Sequence, residues 1–452
     1  MNEPASARAS ASTMARPRLR TNRTIPSLAV ASMAVLALAL AGCTAGEPAA
    51  TPTSDAATPT DAAADGGCVA SPEAVATAEL PPGARDAMPE TTTAELEAAA
   101  TAGIEQAATD GAVVAVQSPD GTWIQAFGVA DPATGAALEA DEFFRIGSIT
   151  KTFTGSLILQ LAEEGELSLE DPIDEYVDGV TNGDAITLRI LMDMTSGIAS
   201  YSLDPATANT YLTAPTTVWT PEELLDAGLA LPPLFEPGAQ FNYSNTNFIL
   251  LGEVIEEVTG QPYPDVLAER ILDPLSLGDT SFPDDAAIPE PHPQGSSLQG
   301  TPDGSTTPID ATDWSPSFAW TAGQLISTPE DLLVWGRALG TGEGLYDVDT
   351  GVERLTSFPG EDGGYGLALG CINGWVGHTG EIPGFNTTVF YDTAADTTVI
   401  VITNSDIASG DCPVSQTLAD NPTGIPCMAP ATRIFVSISE ALGNEFTPPP
   451  MQ

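Results

Sequence analysis

Between residues 44 and 67 the chain contains no aromatic residue and no Val, Ile, Leu or Met, only Ala, Thr, Pro, Ser, Gly, Asp and Glu. Such a tract cannot bury enough apolar surface to offset the conformational entropy lost on folding. It reads as a tether that reaches at most roughly 80 Å when fully extended. It therefore divides a short basic leader from the part able to build a core. From about residue 91 to 447 the composition is that of a globular domain, with no internal repeat and no second linker. The expected organisation is a leader over 1–42, a flexible linker over 43–90 and one large domain over 91–447.

The leader places Arg8, Arg16, Arg18, Arg20 and Arg23 ahead of a single apolar run, Ile25 to Ala41. That is the layout of a secretion signal, and the run is short for a membrane span. It ends in Leu40-Ala41-Gly42-Cys43, which resembles a bacterial lipobox. The resemblance implies a lipoprotein signal peptide over 1–42 and acylation of Cys43. It also implies anchoring in the lipid bilayer, on the outer face of the cytoplasmic membrane.

The chain has 62 Asp+Glu against 13 Lys+Arg, a formal charge of −49. Sequence-independent binding to nucleic acid needs a basic patch, so that class is excluded. Lys151 is the only lysine, and His292 and His378 are the only histidines. Chemistry that needs an amine base or an imidazole has almost nowhere else to reside. With Cys43 acylated, Cys68, Cys371, Cys412 and Cys427 remain, and an oxidising compartment favours two disulfides. Three pairings are possible; the short loop between Cys412 and Cys427 favours that pair. Two distant histidines and no CxxC are a poor basis for zinc, and no metal or cofactor is implied.

Periodicity predicts a helix over 94–109 and a hairpin of Ala112–Gln117 and Trp123–Val129 about the turn Ser118-Pro119-Asp120-Gly121. A helix from about Ser148 to Gly165 carries Phe153, Leu157 and Leu161 on one face. Another spans Asn247–Thr259 with Gly260 as its stop, and one follows Thr328-Pro329, where Thr328 can cap. Strands are expected at Tyr365–Leu369, Gly374–His378, Thr387–Tyr391 and Thr397–Asn404, before a helix over Thr432–Leu442. The Pro- and Gly-rich stretch near 281–310 reads as an inserted surface loop with His292 in solvent. The pattern is α+β, with both chain ends available to one sheet.

Ser148-Ile149-Thr150-Lys151 sets a hydroxyl and an amine one turn apart at the start of a helix. A serine needs a base, and Lys151 serves if burial lowers its pKa. Tyr243-Ser244-Asn245 offers a phenol that could relay protons beside a cation, and an amide for a substrate carbonyl. His378-Thr379-Gly380 offers hydrogen bonds, with a glycine small enough for substrate to lie against the strand.

In this order the three resemble the signature of serine β-lactamases and penicillin-recognising enzymes. The Tyr-x-Asn form is similar to the class C β-lactamase family, and His-Thr-Gly to the secreted D-alanyl-D-alanine carboxypeptidases of Streptomyces within it. Phe144-Arg145-Ile146-Gly147, Leu191 to Gly197, Ala322-Gly323 and Tyr365-Gly366-Leu367 extend the resemblance over about residues 95–445. It implies a β-lactamase/DD-peptidase-like fold: an antiparallel sheet flanked by N- and C-terminal helices, plus a mostly helical domain. It also implies a serine hydrolase, most directly a D-Ala-D-Ala carboxypeptidase. An esterase, a D-amino-acid amidase or aminopeptidase and a β-lactamase are its alternatives. The implied partner is a small-molecule or peptide substrate such as a peptidoglycan stem peptide. Ser148 would be acylated, Lys151 would be its base, and Tyr243 would protonate the leaving amine. Backbone N–H groups of Ser148 and Glu381 would form the oxyanion hole. Asn245 would bind the acyl-side amide, while His378, Thr379 and Gly380 line the leaving-group pocket.

One position departs from the family pattern. Glu381 stands where relatives commonly carry Ser or Thr, and no Arg lies between Tyr365 and His378 to hold a terminal carboxylate. A carboxylate there repels a substrate carboxylate by on the order of 1 kcal/mol or more. His378 predicts an acid limb near neutral pH. A catalytically inert cell-wall-binding relative is the competing class, opposed by the intact Ser148, Lys151 and Tyr243. An α/β-hydrolase is opposed by the lack of a Gly-x-Ser-x-Gly elbow at Ser148.

Overall fold

The computed structural model describes residues 67–360, 363–412 and 417–449; the leader, Cys43 and nearly all of the tether lie outside them. The main helices are α1 (Pro72–Ala76), α2 (Glu90–Ile104), α3 (Thr150–Glu163), α4 (Asn245–Thr259), α5 (Pro329–Thr341) and α6 (Pro430–Leu442). Strands β1 (Gly111–Ser118), β2 (Gly121–Asp131), β3 (Ala136–Ala137), β4 (Gly363–Tyr365), β5 (Gly370–Ile372), β6 (Trp375–Ile382), β7 (Phe385–Asp392) and β8 (Thr397–Thr403) build one sheet. Its order is β3-β2-β1-β8-β7-β6-β5-β4, antiparallel throughout. The two chain ends meet where β1 pairs with β8, Ala112 opposite Thr403.

The period-2 alternation of the strands sorts side chains onto two helical layers. Ala112, Val114, Val116, Val399 and Val401 pack with Leu96 of α2 and Ile434, Phe435 and Ile438 of α6. Val113, Ala115, Ile400 and Ile402 face the opposite core, with Trp335 and Leu339 of α5. A Cβ on Gly103 would lie 2.8 Å from Ile434 Cα, so a glycine lets α2 and α6 touch. The antiparallel sheet flanked by N- and C-terminal helices is the β-lactamase/DD-peptidase-like arrangement that the motifs implied.

Helix α3 is buried on every side from Thr150 through Leu161, not along a single stripe. It can be, because its polar side chains bond locally or to neighbours. Thr152 Oγ1 donates to Ile149 O at 2.7 Å, Ser156 Oγ to Thr152 O at 2.8 Å and Thr154 Oγ1 to Thr321 O at 2.8 Å.

Four expectations are corrected. Residues 67–90 are folded, not linker: Cys68 is bonded to Cys371 in β5, Val75, Ala84 and Met88 are buried, and Asp86 O accepts from Thr122 N. These isolated apolar residues acquire partners only from distant parts of the chain. Helix α2 runs from 90 to 104, where 94–109 was expected. The strand expected at Tyr365–Leu369 ends at Tyr365; Gly366 N donates to Leu369 O in a turn, and Arg354 donates to Leu367 O and Ala368 O. The 281–310 stretch is partly core, with Ile288 and Leu298 buried and Ser296–Ser297 paired to Ile309–Asp310; the His292 side chain is only 24% exposed. The favoured Cys412–Cys427 pair is present.

Candidate active site

A short 3-10 turn, Gly147–Ile149, leads into α3 and carries Ser148. Gly147 has φ +51, and a Cβ there would meet Glu381 N at 2.7 Å. On the facing strand, a Cβ on Gly380 would lie 2.0 Å from Ile146 O. Two glycines thus let β6 press against the turn, which sets the Glu381 backbone N beside Ser148. Gly380 serves backbone-to-backbone packing; the expectation that it clears space for substrate is replaced by this contact.

Lys151 is wholly buried, with Nζ 2.9 Å from Ser148 Oγ and 2.6 Å from Ala322 O, its acceptor. Burial pushes its pKa well below the ordinary lysine value, and no carboxylate offsets this. A neutral amine accepting from the serine hydroxyl is the state this setting favours. Tyr243 precedes α4, whose N-cap is Ser244. Its ring centroid lies 4.9 Å from Lys151 Nζ. Desolvation raises the phenol pKa, and a hydrogen bond with Ser148 lowers it in part. Desolvation thus favours the phenol of Tyr243 over the phenolate that a cationic neighbour would have stabilised. Asn245 opens α4 half-buried, its backbone N donating to Ser200 Oγ.

On β6, Thr379 and Glu381 are exposed on one face, while His378 and Gly380 are buried on the other. His378 Nδ1 contacts Thr379 O, which can only accept, so Nδ1 carries the proton. Nε2 then accepts from Tyr365 OH at 3.0 Å. Burial pushes the His378 pKa down to about 3, and the charge of Lys151 adds to this whenever that amine is protonated. Both ring nitrogens are engaged and the ring is neutral, so neither substrate hydrogen bonding by His378 nor titration near neutral pH fits. His378 instead holds Tyr365, whose ring stands 6.2 Å from that of Tyr243.

Glu381 keeps contact with solvent, yet the protein around it raises its carboxyl pKa to about 8, with the charge of Asp406 adding to the effect. None of the ion pairs among the described residues involves it. Sequence reasoning assigned no role to Ala322 O, Tyr365 or Asp406. Ala322 and Tyr365 lay inside stretches that carried the family resemblance; for Asp406 there was no signal.

An antiparallel sheet pressed against a buried helix whose first turn pairs a serine with a buried lysine amine is a serine-hydrolase fold of the β-lactamase kind. Comparison with known proteins agrees. A description of the Beta-lactamase family matches residues 96–414, and the chain belongs to that family. Among curated relatives, the putative penicillin-binding protein PbpX of Bacillus subtilis (strain 168) is 28% identical over 262 residues, 58% of this chain and 62% of that one. The chain spans between 39% and 62% of the length of the first curated relatives it matches. Among solved structures, a D-stereospecific amidohydrolase from Streptomyces sp. is 33% identical with TM-score 0.63, covering 69% of this chain and 94% of that one. The D-amino acid amidase from Ochrobactrum anthropi SV3 complexed with D-phenylalanine is 25% identical with TM-score 0.67, covering 78% and 99%.

Proposed function

We propose that this chain hydrolyses amide bonds of D-amino-acid derivatives through an acyl-enzyme at Ser148. The observation that carries the reading is the buried Lys151 amine 2.9 Å from Ser148 Oγ, without a counter-ion. Ser148 Oγ attacks the substrate carbonyl carbon and its proton passes to Lys151 Nζ. The N–H groups of Ser148 and Glu381 stabilise the resulting oxyanion as preoriented dipoles. The Tyr243 phenol protonates the departing nitrogen and is reprotonated from the Lys151 ammonium. Water then cleaves the ester, with the same groups working in reverse. Asn245 and Thr379 contribute substrate contacts.

Two substrate forms follow from this chemistry. A D-alanyl-D-alanine carboxypeptidase is supported by the motif order and by the exposed Thr379. An amidase acting on D-amino-acid amides is supported better, because Glu381 stands in the site, no arginine lies between Tyr365 and His378 to hold a terminal carboxylate, and two structural neighbours are named as an amidohydrolase and an amidase. The acylated Cys43 would hold the enzyme on the outer face of the membrane. The test is intact-mass spectrometry of the full-length protein incubated with a penicillin, a D-Ala-D-Ala peptide and a D-amino-acid amide or p-nitrophenyl ester. Wild type is expected to carry an acyl adduct, S148A none, and K151M to acylate about 10³-fold more slowly. Undiminished acylation in either variant overturns the reading.

A further inference from the structure

Along β6, His378 marks the end of the site next to Tyr243 and Tyr365, their rings 6.2 Å and 5.5 Å from its own. Glu381 lies three residues further on, roughly 10 Å along the strand. With Tyr243 serving the departing nitrogen, the leaving group occupies the His378 end and the acyl part of the substrate runs towards Glu381. What waits there is a carboxyl group, which a bound cation draws into its ionised form. Glu381 is exposed and has no ion-pair partner among the described residues.

Behind it stands a second carboxylate. Asp406 is 8% exposed; its Oδ2 accepts from Ser297 Oγ at 3.0 Å and Gln299 Nε2 at 2.6 Å, while its Oδ1 is buried with no hydrogen-bond partner of ordinary geometry. The segment leading to Ser297 packs directly under the hairpin beyond Glu381: a Cβ on Gly295 would lie 3.0 Å from Gly384 Cα. The charges of both carboxylates bear on Tyr211, which stacks on Phe318 at 3.9 Å. Two carboxylates and an aromatic face complement a positive group and disfavour a negative one; the Arg145 guanidinium, whose charge also bears on Tyr211, is buried and donates to Ala286 O and Thr312 O.

We propose that Glu381, backed by Asp406, is a specificity-determining residue that binds an ammonium group on the acyl side of the substrate. That group is the free α-amine of a D-amino-acid amide or of a short peptide beginning with a D-residue. The inference rests on the acyl-enzyme reading above and narrows its substrate: the enzyme works from a free amino end, and N-acylated or carboxylate-terminated analogues are poor.

The experiment compares kcat/KM for D-alanine p-nitroanilide and N-acetyl-D-alanine p-nitroanilide, taken as a ratio within each of wild type, E381Q, E381D and D406N. Acylation of Ser148 by an uncharged p-nitrophenyl ester is followed by intact mass in parallel. Wild type is expected to favour the free amine by about tenfold or more, mostly through KM. The ratio falls towards one in E381Q, falls part of the way in D406N, and is partly restored in E381D. A wild-type ratio near one, or a ratio unchanged in E381Q, while the ester still acylates Ser148, overturns this inference alone. Failure of all three compounds to acylate wild type overturns the acyl-enzyme reading, and this inference with it.

Discussion

Lys151 and His378 show how one burial effect produces two different outcomes. Both are cationic acids taken out of water, and desolvation lowers both pKa values. Lys151 thereby becomes a base aimed at Ser148, because its Nζ faces a hydroxyl. His378 becomes inert to protons, because a carbonyl and the Tyr365 phenol occupy both nitrogens. A folded pKa of about 3 against 6.5 means that the unfolded chain binds more protons between those values, so the fold loses stability as pH falls through that window. H378Q is expected to flatten the dependence of Tm on pH between about 6.5 and 3. It should also leave the apparent pKa of any acid limb in kcat/KM unmoved. A limb that shifts in H378Q would show that the imidazole titrates in the working enzyme.

At the scale of elements, the site depends on how closely β6 approaches the turn before α3. Gly147 and Gly380 each face backbone at distances no Cβ tolerates. G380A is expected to lower stability by about 1–3 kcal/mol through overpacking and to slow acylation by moving the Glu381 N–H away from Ser148. Chemical denaturation and the acylation rate check the two effects separately. A variant with normal stability and normal acylation would mean that the strand has room to retreat. The turn after β4 is a second such joint: Arg354, with no ion pair among the described residues, donates to Leu367 O and Ala368 O and to Ser156 Oγ at 2.8 Å. That contact ties the strand carrying Tyr365 to the buried helix α3.

Across the whole molecule, the sheet joins residues from both ends of the domain, and the disulfides follow the same geography. Cys68–Cys371 spans 303 residues and staples the segment before α1 to β5, whereas Cys412–Cys427 spans 15. Loop-closure entropy makes the longer link the more stabilising by about 2.7 kcal/mol. The double variant C68A/C371A is therefore expected to show a larger drop in Tm than C412A/C427A. An equal or smaller drop would mean that the segment from 67 to 90 opens locally without loosening the sheet.

The sequence alone determined the elements whose signals are local. The 3.6 and 2.0 periodicities placed the hairpin, the helix ending at Gly260, the capped helix after Thr328 and the last three strands. The Ser148–Lys151 pair stood out because a lone lysine in a strongly acidic chain has few alternatives, whereas Tyr243 was named through the resemblance of the three motifs to a family. Signals that exist only across long separations were not legible. The folding of 67–90 needs β5 and β2, the break after Tyr365 needs Arg354, and the buried part of 281–310 needs Asn404. The protonation states of Lys151, His378 and Glu381 were likewise decided by tertiary structure. A pKa reports the dielectric and the partners around a group, and these come from parts of the chain far from it in sequence.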